Sequence, residues 1–489
     1  MPEAGWNARR MTASVTRWMD TLWDREVRLL RSPNAVTGQA HLVRETAWYA
    51  VGLLSRSRTG DEERAVAALA AVLAQQYDAP GTSHHGTWRR VADEPEPAPD
   101  AGRDRDYDPN WREFVGSALL LLLHGFEPRL PGELVGRIDH ALRLAAEGAL
   151  ARAVAPEYTN IALMGAYLFD AVGCRLGVPA LRAAGEDLAR RVHQLWAETR
   201  TFTEFNSPTY YGVDLFALVL WRRCAPSPVL RQLGAQMEEH LWREIAARYH
   251  PALQNLAGPF DRAYGMDMRR YVALTGLWIR LATGKGGTPL PAAGTPRVEH
   301  AHDWCFATCF ALLGAEPPAD AAAQLSAFRD PRLVTTRIAG SPPRTATTWL
   351  GERHCVGAQD AVGAMDRADG QYCPVTVHWL APGREHDVNW LRLAPSSPAD
   401  AVVDEEGTLL LTHRATLARP YPCFLVRAPQ PRPGDVTPGC WRLPGLTVGI
   451  TCDPALDVRT SRVGELLRIE YVPPAVPGDV VLSLRFRAG

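Results

Sequence analysis

Two polar, aromatic stretches interrupt strongly periodic segments near the middle of the chain. The first runs Thr203-Glu204-Phe205-Asn206-Ser207-Pro208-Thr209-Tyr210-Tyr211-Gly212 and the second Gly258-Pro259-Phe260-Asp261-Arg262-Ala263-Tyr264-Gly265-Met266-Asp267. A connection between bundled helices needs only about 2–8 residues and no special chemistry. These stretches instead hold a guanidinium, a carboxamide, phenols and carboxylates. Loops on a rigid scaffold are where sites tend to be built, so the two are expected to form two walls of one cleft. Such groups can supply a cation, an amide donor and ionisable phenols. A tyrosine ordinarily ionises near pH about 10, and an adjacent guanidinium lowers that range. One residue separates Arg262 from Tyr264. Their side chains diverge on a helix and point the same way on an extended segment. Gly258-Pro259 favours the extended form, so Tyr264 is the first candidate for the base, with Tyr210 and Tyr211 behind it.

Plainer roles fit the same residues. Asn160 and Asn206 suit helix caps and turns. Tyr210, Tyr211 and Tyr264 suit packing with the hydroxyl satisfied. Glu204 suits a solvated helix end, and Arg262 beside Asp261 suits a surface pair. His84 and His85, within Thr82-Ser83-His84-His85-Gly86-Thr87-Trp88-Arg89-Arg90, suit either a turn or a cover over the cleft mouth. Trp88, Asn110 and Trp111 are candidates to hold a sugar ring, and the two tryptophans equally suit shielding of a core. Glu204 with Asp214 or Asp267 supplies the two carboxylates of glycoside hydrolysis, if they stand about 5–5.5 Å or 6.5–9.5 Å apart. The nine cysteines form an odd, unpatterned set, which argues against a disulfide framework. Cys305 and Cys309 lack a paired Cys/His set at zinc spacing and read as buried thiols. His386-Asp387, beside Arg384-Glu385, is a weak metal signal because no such spacing repeats. No metal and no cofactor is expected.

The elements that must position these groups change character along the chain. Apolar residues recur at spacings of three and four over 14–284, for example Leu134, Val135, Ile138, Ala141, Leu142 and Ala145. That periodicity predicts about ten or eleven helices, and short links favour antiparallel neighbours. Pro131, Pro179 and Pro228 fall at or just before helix starts, while residues 78–110 are irregular, charged and Pro-rich. A Gly/Pro/Thr-rich linker is expected over 285–300. Beyond it come short β-rich runs: Leu333–Ile338, Thr345–Leu350, Pro374–Leu380, Thr408–Thr416, Phe424–Val426, Leu446–Thr451, Leu467–Val472 and Val480–Phe486. The expected organisation is therefore α+β multidomain, with a helical domain over 1–284 and an antiparallel β-sandwich over 301–489.

The chain of 489 residues is too long for one core. Its net charge of −1 gives no basic field for nucleic acid or anionic lipid. Lys285 is the only lysine, so the arginine excess reads as coding bias rather than phosphate recognition. Met1 to Met11 lacks an apolar signal core, and the longest apolar run, Ala118 to Leu123, is far short of a membrane span. A cytoplasmic protein with a small-molecule or oligosaccharide substrate is expected, with the oligomeric state left open.

A helical domain followed by an antiparallel β domain resembles, over nearly the whole chain, the α/α-toroid polysaccharide lyases and their heparinase- and alginate-lyase-like relatives. Tyr158-Thr159-Asn160-Ile161-Ala162-Leu163-Met164, Asp108-Pro109-Asn110-Trp111-Arg112-Glu113-Phe114, Glu204–Gly212 and Arg262–Tyr264 look like their inner-helix and loop signatures. The resemblance implies an α/α toroid whose cleft holds Asn, Tyr, Arg and often His. It also implies metal-independent β-elimination next to a uronate carboxylate, with Arg262, Asn206 and Asn160 as candidates to neutralise the anion and a phenol as candidate to move the proton. Phe260 stands just before Asp261-Arg262, with no histidine nearer than His250, and the expected secretory signal is missing. These departures put a small carboxylated metabolite beside a uronate sugar as substrate. They also keep open a biosynthetic cyclase or dehydratase, a glycoside hydrolase, and a binding scaffold without turnover.

Overall fold

Leucine- and alanine-rich periodicity becomes helix, and β-branched alternation becomes strand, in a computed structural model. It describes residues 2–33, 40–98, 100–292, 298–360, 370–381, 383, 388–395, 399–415, 421–428, 432–472 and 479–488. The helices are α1 (Pro2–Asp20), α2 (Val43–Arg56), α3 (Asp61–Leu73), α4 (Trp111–Phe126), α5 (Gly132–Arg152), α6 (Thr159–Arg175), α7 (Pro179–Thr199), α8 (Tyr210–Cys224), α9 (Pro228–Arg248), α10 (Leu274–Thr283), α11 (Ala307–Leu313) and α12 (Ala319–Ser326). Two compact units result. One comprises Met1–Ala197, Gly212–Leu241 and Val272–Glu316, and the other Glu198–Tyr211, Trp242–Tyr271 and Pro317–Gly489.

In the first, helical unit, burial alternates from helix to helix. Val43–Leu54 of α2, Arg112–Leu123 of α4 and Thr159–Gly173 of α6 are buried without interruption. In contrast, α3, α5 and α7 bury one stripe each, as with Leu181, Leu188, Ala189 and Val192 of α7. A helix apolar all round belongs inside, and an amphipathic one belongs at the surface. Accordingly α2 packs on both α3 and α4, and α4 on both α5 and α6. Between α6 and α7 the backbones nearly touch, since a Cβ added at Gly185 would lie 2.8 Å from the Ala166 carbonyl oxygen. An aromatic spine fills part of the core. Trp48 stacks on Phe306 with centroids 4.2 Å apart, and Phe310 joins Phe306 to Trp278.

The second unit is built on strands β1 (Arg332–Gly340), β2 (Pro343–Leu350), β3 (His354–Gln359), β4 (Val375–Leu380), β5 (Val388–Leu393), β6 (Ala399–Val403), β7 (Leu409–His413), β8 (Cys423–Arg427), β9 (Val436–Thr437), β10 (Cys440–Leu443), β11 (Leu446–Asp453), β12 (Asp457–Val463), β13 (Leu466–Val472) and β14 (Val480–Ala488). They form an eight-stranded antiparallel sheet in the order β12-β13-β8-β5-β4-β3-β2-β1 and a six-stranded one in the order β6-β7-β14-β11-β10-β9. Both sheets contribute to one hydrophobic core, with Val377, Leu391 and Phe424 from the larger and Leu411, Trp441 and Leu482 from the smaller. Strand β14 shows the usual alternation, with Val480, Leu482 and Leu484 inward. Strands β3, β4 and β5 are buried at nearly every position, so both of their faces are covered. No described helix is long and apolar enough to cross a membrane.

Candidate functional site

The second face of the large sheet explains how the site is held. Residues 257–263 lie along it as an extra segment that bends at Gly258, Asp261 and Arg262. Phe260 and Cys373 exchange backbone hydrogen bonds at 3.0 and 2.9 Å, Ala263 N–H donates to Gln371 O at 2.9 Å, and Thr348 Oγ1 donates to Gly258 O at 2.8 Å. Gly357 of β3 permits this approach, because an added Cβ there would lie 2.1 Å from the Gly258 carbonyl. Asp261 is buried and accepts Gln359 Nε2 at 3.0 Å, with Arg344 at 3.5 Å. The other sequence stretch is stitched to this segment. Asn206 sits at φ 53° and donates from Nδ2 to the carbonyls of Ala257 at 2.8 Å and Pro259 at 2.9 Å. Asp261 N–H donates to Phe205 O. Ser207 Oγ then accepts Tyr210 N–H at 3.0 Å where α8 begins.

This stitching brings Glu204, Tyr210, Arg262 and Tyr264 together, all partly exposed. The hydroxyls of Tyr210 and Tyr264 lie 2.5 Å apart. The Arg262 guanidinium covers the Tyr210 ring at 4.2 Å and donates from Nη1 to Glu204 Oε1 at 2.9 Å and from Nε to Gln371 Oε1 at 2.8 Å. Its third nitrogen, Nη2, meets no protein acceptor among the described residues. Arg262 and Tyr264 thus flank the same phenol, although the chain bends at Asp261, Arg262 and Tyr264 rather than running extended between them. Burial pushes the Tyr210 hydroxyl well above the usual phenol range, Tyr264 adds to that, and Arg262 opposes it. Burial works against the charge on Arg262, but Tyr210 and Glu204 outweigh it and hold the guanidinium ionised. The arrangement can pass a proton between two phenols and offer a cation to an anion beside them.

The remaining candidates sit elsewhere or are engaged. Tyr211 is fully buried, and its hydroxyl donates to Glu244 Oε1 at 2.9 Å beside Thr201. Asn206 is also fully buried, and both its donors serve backbone carbonyls, so it organises the site rather than facing a ligand. Asn160 is buried in the first turn of α6, in the helical unit. That unit also holds His84, His85, Trp88, Asn110 and Trp111. Trp88 is fully buried and presents no free face to a sugar ring, and buried His84 packs edge-on against Tyr77 and Tyr107. His85 is buried, with Nδ1 accepting Ala79 N–H. Asn110 is buried between Arg152, which donates to its Oδ1 at 2.8 Å, and Tyr158. Trp111 is partly exposed under the Arg44 guanidinium. Asp214 is fully buried, and Asp267 is buried against Arg269 and Arg270. Cys305 and Cys309 are buried free thiols. Arg384–Asp387, Thr416 and 293–297 of the expected linker lie outside the described residues. Gln371, Gln359 and Arg344 were not legible beforehand, because they reach the site through strand pairing from about a hundred positions away and carry no local signal.

Comparison with solved structures finds low likenesses. A heparinase III matches at 9% identity and TM-score 0.40, covering 97% of this chain and 84% of that one. The endoglucanase CelQ from Clostridium thermocellum, complexed with cellotetraose, matches at 10% identity and TM-score 0.32, covering 99% and 92%. No curated protein matches the chain. Residues 332–463 match a second domain of unknown function, DUF8770. Residues 9–315, more than half of the chain, match the family model described as a domain of unknown function, DUF8769, and the chain belongs to that family.

Proposed function

We propose that this protein is a carbon–oxygen lyase that works by metal-independent β-elimination on a uronate-type sugar or a small carboxylated metabolite. The reading rests on one observation, the 2.5 Å contact between the Tyr210 and Tyr264 hydroxyls beside the Arg262 guanidinium. In this scheme the substrate carboxylate approaches Nη2 of Arg262, which neutralises the charge that grows as the α proton leaves. Tyr264, as phenolate, takes that proton. The C–H electrons form the carbon–carbon double bond and the β carbon–oxygen bond breaks. Burial makes Tyr210 harder to ionise than an ordinary phenol, so it stays protonated and donates its hydrogen bond to the Tyr264 phenolate. It then protonates the leaving oxygen and takes the abstracted proton from Tyr264, which returns to phenolate. The alternation of enclosed and one-faced helices supports an α/α toroid for the helical unit, and the core shared by the two sheets supports a β-sandwich. A cyclase or dehydratase would use the same acid/base pair. The hydrolase reading gains no support, since Asp214 and Asp267 are buried.

The test is turnover of uronate oligomers and of small β-oxygenated acids, followed by the near-UV absorbance of an unsaturated acid. Tyr264→Phe is expected to lower kcat by about 10²–10⁴, and Tyr210→Phe by less, while Tyr211→Phe keeps turnover. Full activity in both Tyr264→Phe and Tyr210→Phe, or new reducing ends without near-UV absorbance, overturns the proposal.

A further inference from the structure

A second cluster lies in the helical unit, where the chain leaves the expected linker. His300 adopts φ 56° and opens a short 3₁₀ turn, Ala301–Phe306. His300 Nδ1 stands 4.0 Å from Asp303 Oδ2, and His302 Nε2 stands 3.6 Å from Asp303 Oδ1. One nitrogen of each ring and a carboxylate oxygen all fall within 4.8 Å of one another. A divalent ion bound at about 2.0–2.2 Å holds neighbouring ligand atoms roughly 3–3.5 Å apart. The two side chains are about a third exposed, so small ring rotations close that difference. We propose that His300, His302 and Asp303 form a binding site for a divalent transition-metal ion of the zinc type, with its remaining positions open to water or an anionic ligand.

The surroundings suit a cation. Arg44 lies 3.7 Å from Asp303 Oδ1, but its charge is matched by Glu45, whose Oε1 accepts Nε at 3.1 Å and Nη2 at 2.6 Å. The Trp48 and Trp111 rings flank the same guanidinium at 4.6 and 4.2 Å and fix it in place. Two carboxylates against one guanidinium leave a net negative corner. Two imidazoles with one carboxylate favour zinc and its neighbours over calcium or magnesium. The sequence held a local signal for this site, a His-x-His-Asp run, which the linker reading over 285–300 and the search for repeated spacings passed over. The site takes no part in the acid/base step proposed above.

Chelator-treated full-length protein, with its thiols kept reduced, is titrated with zinc chloride by calorimetry. The expected result is one ion per chain, no comparable binding of magnesium, and at least tenfold weaker zinc binding in His302→Ala and in Asp303→Asn. His300→Asn removes a ligand while keeping a residue that tolerates the left-handed backbone, so it separates ligand loss from misfolding, checked by circular dichroism. Cobalt(II) substitution is expected to give no thiolate charge-transfer band. Absence of zinc binding, binding as tight as wild type in His300→Asn and His302→Ala, or a cobalt spectrum showing thiolate ligation overturns the assignment.

Discussion

Asn206 combines a left-handed backbone with two side-chain hydrogen bonds to the carbonyls of Ala257 and Pro259. These two properties separate experimentally. Asn206→Gly keeps the backbone accessible and removes the bonds, for an expected loss of about 1–3 kcal/mol. Asn206→Ala removes the same bonds and adds the left-handed penalty of about 1–2 kcal/mol. Denaturant midpoints should therefore rank wild type above glycine and glycine above alanine. Equal midpoints for the two variants would mean that the backbone conformation is not the constraint. From the sequence alone Asn206 suited a cap, a turn or a ligand, because φ is not written in residue type. The extended run expected from Gly258-Pro259 is not what joins Arg262 to Tyr264, since the chain bends at Asp261, Arg262 and Tyr264. The Glu204 contact to Arg262 was not legible, because Asp261 is the nearer carboxylate in sequence and is drawn instead towards Gln359 and Arg344.

At the scale of elements, the site depends on residues 257–263 docked on β3 and β4. Gly357→Ala places a methyl group against the Gly258 backbone, and backbone cannot rotate away as a side-chain tip would. An expected cost of about 1–3 kcal/mol or more follows, together with release of residues 257–263 and loss of the near-UV circular dichroism of the tyrosine pair. A variant as stable as wild type, with that signal intact, would remove the docking argument. The same docking explains which strands the sequence revealed. Runs with one covered face, such as those in β11 and β14, alternate and were expected nearly at their true bounds. Strand β3, His-Cys-Val-Gly-Ala-Gln, is covered on both faces and has no alternation to read. Strand β12, Asp-Val-Arg-Thr-Ser-Arg-Val, lies at the sheet edge, mostly exposed, and its polarity resembles a loop. Among the described residues, ten α-helices fall between Pro2 and Thr283, in line with the count expected from 3.6-residue periodicity, because amphipathic helices declare themselves locally and enclosed ones by length.

At the scale of the whole molecule, the most strongly buried histidines of the sheet unit and Glu113 of the helical unit respond to pH in opposite directions. In the sheet unit, burial lowers His250, His354 and His378 from 6.5 to about 4 each. The geometry shows why. His250 Nε2 donates to Gly351 O at 2.8 Å while Nδ1 accepts Leu253 N–H, so a second ring proton breaks an existing bond. His378 Nε2 donates to Met266 O at 3.0 Å, and its buried Nδ1 has no acceptor nearby among the described residues. A depressed folded-state pKa means that the unfolded chain binds more protons over this interval. The stabilisation is present above about 6.5 and is lost as pH falls through about 4. In the helical unit, fully buried Glu113 moves the other way, raised by burial from 4.5 to about 7. Its contribution is complete below about 4.5 and disappears as pH rises through about 7. Scanning calorimetry from pH 4 to 8 should therefore show the sheet unit losing stability on the acid side. His378→Gln, which can still donate to Met266 O but cannot ionise, should flatten that limb by about 1.4 kcal/mol per pH unit. Glu113→Gln should instead remove the alkaline loss and leave the acid limb alone. An acid limb unchanged by His378→Gln would show that His378 does not titrate on unfolding, and that the acid sensitivity of the sheet unit has another source.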